Sequence, residues 1–349
     1  MLNTDIRIKD YEALATSKQL QEKIPTTATV EKQISKSREI VNNIILNKDN
    51  RILAIVGPCS IHDPKAAMEY AAKLKKISDK IGDKLYIVMR TYFEKPRTVG
   101  GWKGLIIDPD LDGSYNIEKG LTIARSLLID IIKLGLPVGC EVLDPVVPQY
   151  IDELMSWSAI GARTTESQTH RNLSSGLSVA VGFKNSTNGD ISNAINAIKS
   201  AALPSAFIGV DRLGNISVIR TCGNELGHLI LRGGTHGPNY YDEKVEEARE
   251  SLLKNDLTPS IIVDCSHANS GKRAYRQERV LRSVIDQINF GETSIRGFML
   301  ESNIKAGAQK INSDLSSLEY GVSVTDECVS IEDTERMLLS AYDKLQGGK

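Results

Sequence analysis

After residue 50 the chain repeats one unit eight times: a short apolar run, a polar loop, then a longer amphipathic segment. The runs lie at 52–57, 85–89, 137–140, 159–162, 179–183, 228–231, 260–264 and 295–300. Between most of them, apolar residues recur at helical spacing, over 65–80, 117–134, 148–157, 191–201, 242–254 and 276–289. The stretch between the fourth and fifth runs is short, so its helix must be short. Strands alternating with helices predict a parallel sheet, and eight such units fit closure into a (β/α)₈ barrel. An open doubly wound sheet is the alternative. One segment breaks the alternation: 206–210 and 216–221 flank Asp211-Arg212-Leu213-Gly214-Asn215, which reads as a β-hairpin inserted outside the barrel. Residues 28–46 have helical spacing within a polar leader. The reading is therefore an N-terminal extension over 1–50 and a barrel with a hairpin insertion over 51–349.

Composition narrows the partners. Of 349 residues, 43 are basic and 44 acidic, leaving a formal charge of −1. Such a balance carries no electrostatic footprint for nucleic acid or an anionic membrane. No stretch approaches the roughly 20 apolar residues of a membrane span, and the N-terminus lacks a signal-peptide pattern. Five widely spaced cysteines without a CxxC pair point to a reducing compartment, so a cytoplasmic protein is expected.

In a barrel of this kind the active site sits at the C-terminal strand ends. Each run here ends in, or is soon followed by, a residue able to do chemistry: Cys59, Arg90, Glu141, Arg163, Lys184, Arg232, His267 and Glu301. Four cations meeting in one desolvated cavity require an anion to balance them. Arginine suits that task because its planar fork binds carboxylate or phosphate oxygens in pairs. The loop Phe93-Glu94-Lys95-Pro96-Arg97-Thr98 adds two cations and a hydroxyl beside Arg90, which reads as a second anion site. Cys59, His267, Glu301 and Asp326 form a mixed thiolate, imidazole and carboxylate set. It suits Mn²⁺, Fe²⁺, Co²⁺ or Zn²⁺ better than Mg²⁺, with His62 as a rival ligand. Residues 266–273 (SHANSGKR) end like a P-loop but lack its first glycine and its Ser/Thr, and neither GxGxxG nor GxSxG occurs in the required context.

The wording of the strand ends carries a resemblance. GPCSIHD (57–63), MRTYFEKPRT (89–98), GWKGLIIDPD (101–110), IGARTTESQTHR (160–171), VGFKNST (181–187), ILRGG (230–234), DCSHANS (264–270) and YGVSVTDEC (320–328) resemble the type I 3-deoxy-D-arabino-heptulosonate 7-phosphate (DAHP) synthases over nearly the whole chain. The resemblance implies an aldol-like condensation of phosphoenolpyruvate with D-erythrose 4-phosphate that opens the shikimate route. It implies Cys59, His267, Glu301 and Asp326 as metal ligands. Arg163, Lys184 and Arg232, with Ala162 and Glu141 beside them, would hold the phosphoenolpyruvate phosphate, and Arg90 and Lys95 its carboxylate side. Lys95, Pro96, Arg97 and Thr98 would place erythrose 4-phosphate. The catalytic groups expected are Lys95, Glu141, Lys184 and His267.

The same resemblance implies feedback inhibition by an aromatic amino acid at a site built from residues 1–30, including Asp5, with Pro145, Gln149, Leu177, Ser178 and the hairpin. The IRIKDY segment is similar to phenylalanine-sensitive members, whereas Pro145 looks like tyrosine-sensitive ones. A homotetramer built from dimers is expected. The rival readings are a related synthase using arabinose 5-phosphate and a non-catalytic sensor of aromatic amino acids. The KPRT loop and long N-terminal extension speak against the first, and the intact set of ligands and cations against the second.

Overall fold

Side chains along a strand alternate between its two faces, and β1 (Ile52–Gly57) shows what each face meets. Leu53 and Ile55 join an inner cluster with Val88, Trp157, Ile230, Ile262 and Met299, while Ile52, Ala54 and Val56 pack outward against the helices. Strands buried on both faces read as continuous apolar runs, which is why the runs were visible. The structure, a computed structural model, describes residues 4–345; residues 1–3 of the expected extension and 346–349 of the expected barrel segment lie outside it.

Two helices precede β1: α1 (Ser17–Lys23), opened by a Thr16–Gln19 capping box, and α2 (Ala28–Ile45). Then follow α3 (Pro64–Ile81), β2 (Leu85–Arg90), α4 (Ile117–Lys133), β3 (Val138–Glu141), α5 (Pro148–Ile151), β4 (Trp157–Ile160), α6 (Gln168–Ser174), β5 (Ala180–Lys184) and α7 (Ser192–Ala202). The antiparallel hairpin of β6 (Ser205–Val210) and β7 (Ile216–Thr221) comes next. The chain ends with β8 (Gly227–Leu231), α8 (Asp242–Lys254), β9 (Ile261–Asp264), α9 (Gln277–Asn289), β10 (Ile295–Asn303), β11 (Val329–Ser330) and α10 (Ile331–Lys344). The parallel order β1-β2-β3-β4-β5-β8-β9-β10 closes through β10 onto β1, so the fold is the (β/α)₈ barrel. The hairpin pairs only with itself, outside the barrel sheet.

The expected helix over 148–157 is corrected. Helix α5 stops at Ile151, a 3₁₀ turn covers Asp152–Leu154, and β4 starts at Trp157 rather than 159. The cause is the barrel interior. Trp157 fills it, fully buried, and its indole N–H donates to His228 Nε2 at 3.0 Å. With Nε2 accepting, the imidazole proton sits on Nδ1 and donates to the Leu226 carbonyl at 3.1 Å.

The bottom of the barrel is plugged by α2, whose Val41, Ile44 and Ile45 belong to the inner cluster. Arg296 fastens the plug, donating from Nε to the Ile44 carbonyl (2.9 Å) and from Nη2 to the Asp49 carbonyl (2.8 Å). On one flank Tyr150 of α5 donates its hydroxyl to the Ala15 carbonyl (2.8 Å), and the hairpin turn meets α1 through Lys18 N–H and the Arg212 carbonyl (3.1 Å).

Candidate active site

The strand ends deliver their side chains to one mouth. Gly57 closes β1 with φ +157°, and a Cβ there would lie 2.8 Å from the Arg90 carbonyl, so the chain turns tightly against β2 before Cys59. The cleft above, of about 180 Å³, is lined by Lys95, Pro96, Arg97 and Thr98 on one side. Glu141, Ala162, Arg163, Lys184, Arg232, His267 and Asp326 line the rest. Cys59, Arg90 and Glu301 are buried. The cations, the KPRT loop and the sulfur and carboxylate donors, read from eight separate segments, therefore meet in one place.

Among the described residues one donor group could hold a metal ion: a ligand atom from each of Cys59, Glu301 and Asp326 lies within 4.8 Å of the others. His267 Nε2 stands 4.0 Å from Glu301 Oε1. Burial, with Glu301 and Asp326 adjacent, pushes the Cys59 thiol up to about 11 despite Lys95 beside it. A protonated thiol wedged between carboxylates is the state that a divalent cation would relieve by taking the thiolate, so the donor set fits a metal. His62, the rival ligand, edges the Trp102 ring at 6.5 Å and is absent from the donor group.

His267 is oriented from behind. Its φ of +52° is unusual for a residue with a side chain and is held by the loop around it. Ser266 spends its hydroxyl proton on Asp264 Oδ1 (2.6 Å), so Ser266 Oγ accepts from His267 Nδ1–H at 2.8 Å. That leaves the Nε2 lone pair free to face Glu301. Gln277 clamps the Glu301 backbone, accepting its N–H (2.8 Å) and donating to its carbonyl (2.9 Å).

The basic side is under-compensated. Lys184 lies 3.4 Å from Asp264 and 3.9 Å from Glu141. Arg90 reaches Glu301 with Nη2 at 3.2 Å and stacks 4.0 Å from the Tyr92 ring centroid. Its buried Nη1 has no hydrogen-bond partner among the described residues. Burial, with Arg163 adding to it, lowers Arg232 against the pull of Asp264, Glu301 and Asp326. Lys95 Nζ donates to the Cys59 carbonyl (3.1 Å) and thiol (3.2 Å), and Arg163 reaches the Thr98 hydroxyl at 3.4 Å. Burial works against the charge on Lys95, but Cys59, Glu301, Glu141 and Asp326 outweigh it and raise the amine above its ordinary value.

Several participants escaped the sequence reading. Asp264 is wholly buried and touches both Lys184 and His267. Burial opposes its ionisation, but His267, Lys184 and Arg90 hold it well below the usual carboxylate range. An acid closing an apolar strand was its signal. Tyr92 lies under Arg90, while Thr164, Thr187 and Lys272 line the cleft. Lys272 is the lysine of the failed P-loop, and only the fold reveals its position.

The residues expected at an inhibitor site show a separate pattern. Asp5 is exposed and accepts from the Tyr11 hydroxyl (2.9 Å); Pro145 and Ser178 are exposed, Gln149 half-buried and Leu177 buried.

A tyrosine-sensitive phospho-2-dehydro-3-deoxyheptonate aldolase of Salmonella typhimurium is 50% identical over 343 residues, spanning 98% of this chain and 96% of that protein. A phenylalanine-sensitive one of Escherichia coli is 48% identical over 336 residues, spanning 96% and 95%. A phospho-2-dehydro-3-deoxyheptonate aldolase structure from Francisella tularensis superposes with a TM-score of 0.95 at 48% identity, covering 97% of this chain and 98% of that one. The family described as DAHP synthetase I matches residues 23–339, and the chain belongs to that family of enzymes.

Proposed function

We propose that the cleft condenses phosphoenolpyruvate with D-erythrose 4-phosphate and water to give 3-deoxy-D-arabino-heptulosonate 7-phosphate and phosphate, the first step towards the aromatic amino acids. One observation carries this reading: Lys95, Arg163, Lys184 and Arg232 line a single cleft with His267 and with Asp326 of the Cys59–Glu301–Asp326 donor group. Arg163, Lys184 and Arg232 would bind the phosphoenolpyruvate phosphate. The unpartnered Nη1 of Arg90, with Lys95, suits its carboxylate. Arg97 and Thr98 would take the phosphate of the second substrate, aided by Pro96 and Ala162 as walls.

Carbon 3 of phosphoenolpyruvate attacks the aldehyde carbon, and the aldehyde oxygen takes a proton from Lys95 Nζ as it becomes a hydroxyl. A divalent metal held by Cys59, His267, Glu301 and Asp326 supplies Lewis-acid polarisation when bound; Mn²⁺, Fe²⁺, Co²⁺ and Zn²⁺ all suit this donor set. Carbon 2 is left electron-poor. Glu141, 3.9 Å from Lys184, accepts a proton from the water that adds there. The carbon–oxygen bond to phosphate then breaks, the ketone forms, and the three cations hold the departing anion. Fixing both substrates in one cleft supplies much of the remaining advantage.

An aromatic amino acid, tyrosine or phenylalanine, is the proposed inhibitor. Its site would lie on the flank where residues 4–30, α5 and the hairpin meet, close to Asp5, Pro145, Gln149, Leu177 and Ser178. The hairpin leaves Ile208 and Ile216 more than four-fifths exposed, which supports burial against another copy in a cytoplasmic homotetramer. Among the described residues no helix is long and apolar enough to cross a membrane.

The test is phosphate release from both substrates after removal of metal and reconstitution with each cation, repeated with each aromatic amino acid. Metal-dependent turnover with erythrose 4-phosphate is expected. Turnover only with arabinose 5-phosphate, or amino-acid binding without turnover, would overturn the proposal.

A further inference from the structure

Glu94 immediately precedes Lys95 and is nearly fully buried, yet the chemistry above does not use it. It does not line the cleft, and its carboxyl accepts the backbone N–H of Asp144 at 3.2 Å. Asp144 in turn accepts the N–H groups of Val146 (2.7 Å) and Val147 (3.3 Å), shaping the turn into α5. His170 pins the same turn from the other side, with Nε2 2.7 Å from the Leu143 carbonyl. That turn begins just beyond Glu141. One buried carboxyl therefore bridges the loop bearing Lys95, Pro96, Arg97 and Thr98 to the segment bearing Glu141.

The environment favours an uncharged carboxyl at this point. Burial, with Asp144 and Glu141 nearby, pushes Glu94 up to about 8, so near neutrality it is largely an acid whose oxygen still accepts. The covering loop is equally tight. A Cβ on Gly104 would lie 2.7 Å from the Glu94 Cα, and Lys95 N–H donates to the Lys103 carbonyl at 2.9 Å. A loop packed this closely is set by its anchors, and Glu94 is the anchor that crosses to the Glu141 segment.

We propose that Glu94 is a positioning residue: by holding the Asp144 backbone it fixes the register of the 95–98 loop against Glu141, and so the seat of the phosphorylated aldehyde substrate. The substrate assignment rests on the functional reading above; the mechanical part does not. In the metal-loaded enzyme, Glu94→Ala raises KM for erythrose 4-phosphate by about tenfold or more, while phosphoenolpyruvate binding by calorimetry moves less than about twofold. Glu94→Gln keeps a neutral oxygen acceptor and restores the wild-type KM. Equal weakening of both substrates, or a Gln variant no better than Ala, would overturn the assignment.

Hydrogen exchange separates this inference from the functional reading. Amides of 95–104 and 143–147 exchange about tenfold faster in Glu94→Ala and at wild-type rates in Glu94→Gln, with no substrate present. Unchanged exchange in the Ala variant would sink the proposal whatever the enzyme turns over. Wild-type enzyme inactive on these substrates would sink the functional reading alone. If Glu94→Ala does not fold, Glu94→Met removes the acceptor at similar length and is read the same way.

Discussion

The two ends of the barrel both bury polar side chains, and they treat them in opposite ways. At the bottom the large nitrogen-bearing side chains spend their donors: Trp157 on His228, His228 on Leu226, Arg296 on the carbonyls of Ile44 and Asp49. These groups are hydrogen-bonded and packed beneath the α2 plug. At the mouth, Arg90 Nη1 has no partner among the described residues, Lys184 shares the Asp264 carboxylate with His267, and Arg232 forms no ion pair among the described residues. The large fold-serving groups are satisfied, and an unmade buried hydrogen bond would cost about 1–3 kcal/mol. Those that serve chemistry keep capacity in reserve for a ligand. Substitution at the two ends should therefore separate activity from stability.

The largest effect belongs to Lys95. Lys95→Met removes the proposed proton donor beside Cys59 and should lower kcat by about 10²- to 10⁴-fold, with phosphoenolpyruvate affinity little changed in calorimetry. Equal turnover in the variant would remove Lys95 from the proposed mechanism. Asp264→Asn comes next. It disturbs the group that fixes His267 through Ser266 and faces Lys184, so metal affinity should fall by about 10- to 100-fold in a competition titration. Affinity at the wild-type level would show that His267 orients without it.

Gly161→Ala should cost less. Its added Cβ would lie 2.6 Å from Glu141 Oε1, the free end of a side chain, so the carboxylate shifts and the fold survives. We expect kcat to drop by about tenfold with the unfolding midpoint nearly unchanged. A large loss of stability instead would mean that Glu141 cannot yield.

The barrel was legible because strands buried on both faces cannot hide in a sequence: 52–57 and 261–263 carry no polar side chain. The start of β4 was not, because Trp157 reads as the end of an amphipathic helix until the barrel interior claims its indole. C-terminal α10 and the short α1 also went unread, since each docks on elements remote in sequence. In the site, residues closing strands stood out, as Cys59, Arg90 and Glu301 did. Asp264 closes a strand too but was passed over, since its work is done on Lys184 and on His267. Lys272 was misfiled with a failed motif, because cleft membership depends on which loops the barrel brings together.

The smallest effects sharpen the contrast between the ends most directly, since they carry opposite signs with pH. Burial lowers His228 from its ordinary 6.5 to about 4. Between those values the unfolded chain binds the proton and the folded one does not, so this group's contribution to stability is lost as pH falls from 6.5 towards 4. Glu94, raised from 4.5 to about 8, behaves inversely: the folded chain keeps the proton, and stability is lost as pH rises across that window. His228→Phe strands the Trp157 N–H and should cost about 1–3 kcal/mol in urea unfolding at neutral pH, with turnover per folded molecule unchanged. Its stability curve should also flatten on the acid side, whereas that of Glu94→Gln should flatten between 4.5 and 8. If both variants altered the same limb, the two ends would not be electrostatically independent, and the separation of fold-serving from chemistry-serving groups would fail.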